Sequence, residues 1–180
     1  MRLEILERGA MTAQQRELYD RIAGKRGAVR GPFNLWLYSP ELCDKVESLG
    51  RFVRFDSSVP PRLRDIAILV TARYWDSSYM WNSYSRRAAE TGVTAEFIAA
   101  IAERRPPPFT GEEDQAVYAY ATELLQRHRV AQTSFNAALR VLGKVGLVEI
   151  TALIGNYSMV AMALSAFEVD MPADAQPLPA

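Results

Sequence analysis

The segment from Arg62 to Tyr74, RLRDIAILVTARY, constrains this chain more than any other. Its apolar residues run nearly all the way around a helix, so a helix there has no face to give to water and has to be enclosed by other helices. The same segment carries Asp65. A carboxylate on so apolar a helix needs a partner, because unpaired burial of charge is strongly unfavourable. At 180 residues the chain is long enough to build one domain around such a core.

The flanking signals are helical. Thr12 and Gln15 form a capping-box pair, opening a helix that Gly24 and Gly27 close. RGPFNLWLYSP (Arg30 to Pro40) is an apolar, aromatic stretch bracketed by prolines. Ser39 and Pro40 start a helix predicted over Pro40–Val53. Pro60 and Pro61 precede the apolar segment, and a second central helix is expected from Ser77 to Thr91, ended by Gly92. Thr94 opens a short amphipathic helix with Phe97, Ile98 and Ile101 on one face. After a linker at Arg104–Pro108, Thr110 and Glu113 read as another capping box, heading a helix from Glu112 to His128. Two more helices are predicted over Gln132–Gly143 and Gly146–Ala166. No strand-like alternation and no NG or DG hairpin turn occurs. The expectation is an all-α, single-domain bundle of seven or eight helices around a central helical hairpin, spanning 1–170. A flexible Pro/Ala-rich tail, MPADAQPLPA, occupies 171–180.

Twenty-one basic residues balance 21 acidic ones, and neither a basic excess nor a basic cluster is present, which argues against a nucleic-acid partner. The lone Cys43 can form neither an internal disulfide, a CxxC pair nor a cysteine metal site, and reads as a small core residue. It suits a reducing, cytoplasmic setting. The N-terminus lacks a signal-peptide apolar region, and no run approaches the ~20 apolar residues needed to cross a membrane. His128 sits where a helix end favours a cation. One His and one Cys far apart make a metal site unexpected, and no glycine-rich phosphate loop supports a nucleotide, so no cofactor is expected.

The order RGPF, SPEL, LG.F.R, PPRLRDIAILVTAR, then Trp75 and the pair Tyr79–Trp81, resembles the carboxymuconolactone decarboxylase and alkylhydroperoxidase-D-like family. LIGNYSMVAMALSAFEV (Leu153 to Val169) resembles its last helix. The peroxidase branch carries a C-x-x-C-x-x-x-H pattern on the central helix and an acid on the helix before it. At the matching positions stand Ser77, Met80, Tyr84 and Asp65. Thiol peroxidase chemistry, which needs a thiolate and a resolving partner, has no residues to run on there. Against the decarboxylase-like pattern YEWxxH, Tyr79 and Trp81 match, Met80 replaces the Glu and Tyr84 the His. The element RHW of many relatives reads Arg73, Tyr74, Trp75, and a further His position holds Tyr38. Three imidazole positions are phenols.

The resemblance implies a site with Asp65 and Tyr84 as catalytic residues and Tyr38, Tyr74, Trp75, Tyr79, Met80 and Trp81 around the substrate; Arg73, as a bidentate carboxylate binder, and Tyr157, a polar residue on an apolar helix, are further candidates. Asp65 would be base or orienter, and Tyr84 acid or oxyanion donor. A bland reading stands beside each: Asp65 in a structural ion pair with Arg62, Arg64 or Arg73, and the tyrosines satisfying one another in the core. Arg30 is either a carboxylate anchor or the anchor of its own loop, and Asn156 either lines the cavity with Tyr157 or makes a structural hydrogen bond. The function implied is a cofactor-independent, non-redox lyase or isomerase on a small carbonyl- or enol-containing metabolite, in secondary metabolism. The alternative is an inactive family member that binds a ligand or a partner subunit. A homo-oligomer, trimer or hexamer, is expected with the central hairpin or the last helix at its interface.

Overall fold

The computed structural model describes residues 1–172, 175 and 177–179, with the backbone alone at 25 and 26. Among them are eight α-helices and no strand: α1 (Ala13–Arg26), α2 (Phe33–Trp36), α3 (Pro40–Arg51), α4 (Pro61–Tyr74), α5 (Ser78–Glu90), α6 (Ala95–Ala102), α7 (Glu112–Arg127) and α8 (Gln132–Ala166). A π-helical turn, Phe52–Asp56, follows α3 directly.

α4 is the axis of the molecule. Every residue from Leu63 to Arg73 is buried, because α5, α6, α7 and α8 all pack against it. Its apolar surface is thus consumed within one chain and leaves no face for another subunit. α8 differs, exposing Val145, Val148 and Met162. A second, smaller core joins α1 and α3 through Leu18, Ile22, Trp36, Leu37, Cys43 and Val46.

Local signals set most boundaries. Thr12 and Gln15 exchange both bonds of the capping box, and Gly27 ends α1 in the left-handed region at φ 76°. Thr94 accepts from the Phe97 N–H to start α6. The Thr110–Glu113 box does not form. Gly111 is the N-cap of α7, so Glu113 falls one position short of the reach-back site. Thr110 instead donates to Asp114 and accepts from Arg62. The two helices expected after Ala131 are one run, broken where Gly143 takes φ 66° and ψ 179°. α3 gives way at Phe52 to the wider π turn, which carries Arg54.

Of the tail at 171–180, positions 173, 174, 176 and 180 lie outside the described residues. The Leu178 N–H donates to Ser78 Oγ at 3.0 Å, and Arg73 donates to the Pro179 carbonyl at 3.0 Å.

Candidate functional site

A cavity of about 310 Å³ opens at the seam between the two cores. The stretch before α3 contributes Arg30, Pro32, Phe33 and Trp36, and α3 with its π turn contributes Val46, Gly50 and Arg54. From α5 come Tyr79, Met80, Ser83 and Tyr84, a spacing that one helical face presents together. α8 closes it with Asn156, Tyr157 and Val160.

Two hydroxyls form its polar centre. Tyr157 donates to Tyr84 at 2.8 Å, with the rings edge to face, 5.0 Å apart at 85°. Burial first, then charge repulsion from Tyr84 and the hydrogen bond to it, push the Tyr157 hydroxyl well above the usual phenol range, so it keeps its proton. As Tyr157 is the donor, the Tyr84 proton is left to point elsewhere. Burial likewise raises Tyr79. Its ring lies tightly over Gly31, where a Cβ would stand 2.5 Å from the Tyr79 oxygen. The RGPF turn therefore passes under Tyr79 only because residue 31 is glycine, at φ 59°.

Charge at the cavity is one-sided. Among the described residues, Arg30 and Arg54 line it and no carboxylate does. The Arg54 guanidinium sits 5.4 Å from the Tyr84 ring centroid and 4.9 Å from that of Phe55. Its Nε is buried without a partner, as is Asn156 Oδ1.

Tyr79, Met80, Tyr84 and Tyr157 are thus brought together around one space, but six other anticipated residues are not. Asp65, 1% exposed, accepts from Arg87 Nε at 3.2 Å and from the Thr91 hydroxyl at 2.8 Å. α4 and α5 do pair as a hairpin, yet Asp65 meets the last turn of α5, beyond Tyr84. Its partner is neither Arg62, Arg64 nor Arg73: Arg62 pairs with Asp114, Arg64 donates to the Arg54 carbonyl, and Arg73 pairs with Asp76. Arg73 follows Asp65 by eight residues, about 12 Å along the helix axis. It joins Asp76 and Arg104 at the other end of α4, away from the cavity. Tyr74 and Trp75 stack edge to face at that same end, ring centroids 5.4 Å apart. Trp81 turns about 100° around the helix from Met80 and joins the main core. Tyr38 is 44% exposed and donates to the Glu4 carbonyl, because α2 turns Phe33 and Trp36 inward and leaves Tyr38 on the outside.

Sequence reasoning passed over Arg54, Phe33 and Trp36 as site residues. Phe33 and Trp36 lie in the aromatic stretch already noted, at a helical spacing that puts them on one side. Arg54 carried only a weak signal, as one of two arginines in RFVRFD, and its side is set by the π turn. Among the described residues no group of three or more His, Cys, Asp or Glu is placed to hold a metal ion, and no helix is long and apolar enough to cross a membrane.

No protein-family model matches the sequence, and no curated protein does. Solved structures match the fold over nearly its whole length. A peroxidase-related protein from Silicibacter sp. superposes with a TM-score of 0.78 at 10% identity, covering 97% of this chain and 92% of that one. An alkylhydroperoxidase AhpD core, a peroxidase-related protein from Ralstonia eutropha, does so at 0.77 and 13% identity, covering 96% and 93%. The debrominase Bmp8, solved as a cysteine-to-alanine variant with 2,3,4-tribromopyrrole, reaches 0.74 at 17% identity, covering 93% and 90%. This chain has the alkylhydroperoxidase-D-like helical fold, as its sequence resemblance implied.

Proposed function

We propose that the chain is a cofactor-independent, non-redox enzyme that takes a small carbonyl- or enol-containing metabolite into this cavity, with Tyr84 as donor to the oxygen on which negative charge develops. The observation that carries the reading is the Tyr157–Tyr84 hydroxyl pair within the cavity wall. A phenol is a poor base at neutral pH but a good donor to an oxyanion. Tyr157 holds its own proton and supports Tyr84 as charge shifts onto that oxygen. Asp65, ion-paired behind the cavity, acts in this reading as a positioning residue that fixes Arg87 one turn beyond Tyr84. That Bmp8, of the same fold, was solved with a small brominated pyrrole fits a cavity of this kind. Decarboxylation, dehydration, isomerisation and cyclisation all pass through charge on such an oxygen.

A second reading, a binding protein without turnover, is favoured by the absence of any carboxylate, imidazole or thiol from the lining among the described residues. Proton NMR in D2O separates the two, using phenylpyruvate as an enolisable probe. The enzyme reading expects wild type to accelerate deuterium uptake at the benzylic carbon beside the ketone and Tyr84→Phe to lose that acceleration by about 10²-fold or more. Saturable binding without any acceleration supports the binding protein.

Assembly into a homo-oligomer is part of the proposal, supported by the exposed Val145 and Val148 of α8, at 64% and 70%. Sedimentation velocity returning a monomer at micromolar concentration counts against it.

A further inference from the structure

We infer that Arg54 and Asn156 form a recognition subsite for a planar hydroxy-carboxylate, the carboxylate lying on Arg54 and the hydroxyl donating to Asn156. This rests on the cavity being the functional site.

The first line of argument is charge. Among the described residues the cavity wall holds two guanidinium groups and no carboxylate, and neither Arg30 nor Arg54 is ion-paired. The buried Asp65, behind the cavity, is already engaged by Arg87 and Thr91. A half-buried guanidinium beside low-dielectric aromatic rings is stabilised by an anion, and its planar fork favours a carboxylate.

The second line is the pair of orphaned atoms. Buried polar groups without partners are rare, and each calls for an explanation. Two of the seven such atoms among the described residues belong to residues that line this cavity: the Arg54 Nε, a donor, and Asn156 Oδ1, an acceptor, on a residue only 6% exposed. A ligand that satisfies both carries an acceptor and a donor, as a carboxylate and a hydroxyl on one molecule do. A carboxylate alone supplies only acceptors, and a hydroxyl alone, which supplies both, brings no charge to answer the guanidinium.

The third line is shape. Phe33 and Trp36 meet edge to face, 5.2 Å apart, and with Tyr79 and Tyr84 they offer flat apolar walls. A volume of about 310 Å³ lies at the lower end of ordinary ligand pockets. Such a space suits a single ring with short substituents.

Isothermal titration calorimetry with the three isomeric hydroxybenzoates, the matching hydroxybenzamides and benzoate tests this. At least one hydroxybenzoate is expected to bind wild type about tenfold or more tighter than its uncharged amide, with Arg54→Gln erasing that preference. Asn156→Leu is expected to weaken that hydroxybenzoate several-fold and leave benzoate unchanged, an independent check should Arg54→Gln fail to fold. If amide and acid bind wild type equally and both weaken in Tyr84→Phe, the cavity reading survives and the carboxylate subsite is overturned. If Asn156→Leu leaves hydroxybenzoate affinity intact, the hydroxyl contact is overturned. If no compound of either kind binds while phenylpyruvate exchange still depends on Tyr84, the subsite is overturned and the cavity reading stands.

Discussion

The hydroxyl of Tyr157 donates to that of Tyr84 across 2.8 Å, although 73 residues separate them in the chain. The pair joins α5 to α8 and leaves the Tyr84 proton unused by Tyr157. Tyr84→Phe should therefore act twice. Removing one partner of a buried pair should cost about 1 kcal/mol in urea-unfolding stability. Ligand-dependent stabilisation should fall far more, and an unchanged thermal shift with bound hydroxybenzoate would speak against Tyr84 as donor.

Asp65→Asn should be a stability variant before it is an activity variant. Its carboxylate is 1% exposed and bound to both Arg87 and Thr91, so neutralising it leaves a cation without its counter-charge. A loss of about 3 kcal/mol is expected. A double-mutant cycle with Arg87→Met measures the coupling, and near-additive losses would show that the pair does not hold the α4–α5 hairpin together.

Gly31→Ala should distort the cavity from beneath. The new Cβ would lie 2.5 Å from the Tyr79 oxygen, at a backbone φ of 59° that costs a side chain about 1 kcal/mol or more. The expected outcome is a lowered melting temperature together with weaker ligand binding. Tyr79→Phe in the same background should restore part of both, because it removes the clashing oxygen.

The raised Tyr157 hydroxyl gives a pH signature. The native state holds this proton more tightly than the unfolded chain, whose phenols titrate near ~10. Its contribution is therefore complete below that pH and is lost as pH climbs through the raised native value. Urea midpoints should fall with rising pH in the alkaline range, and Tyr157→Phe should flatten that fall. Parallel curves for the two proteins would contradict the assignment.

How far the sequence carried depended on whether a signal was local. The Thr12 capping box, the Gly27 stop and the Thr94 cap are contacts within a few residues, and they form as expected. The enclosure of α4 followed from its apolar circumference. The same argument required Asp65 to have a partner but could not name one, since Arg87 lies 22 residues on and depends on hairpin register. Tyr38 was misplaced because four residues of α2 reverse which side chains face inward. Arg54 was invisible for a related reason: the π turn breaks the 3.6-residue period from which its direction would be read. Tyr79, Met80 and Tyr84 were legible because one regular helix presents them.

The most direct test of the account is a crystal structure of the protein saturated with the tightest-binding hydroxybenzoate. The predicted result is a ring between Trp36 and Tyr79, with a ligand oxygen within hydrogen-bonding distance of the Tyr84 hydroxyl. A larger opening lies elsewhere, a groove of about 990 Å³ between α7 and α8, lined by Arg62, Asp114 and Arg140. Ligand seated in that groove, with the Tyr84 cavity empty, would contradict the central claim.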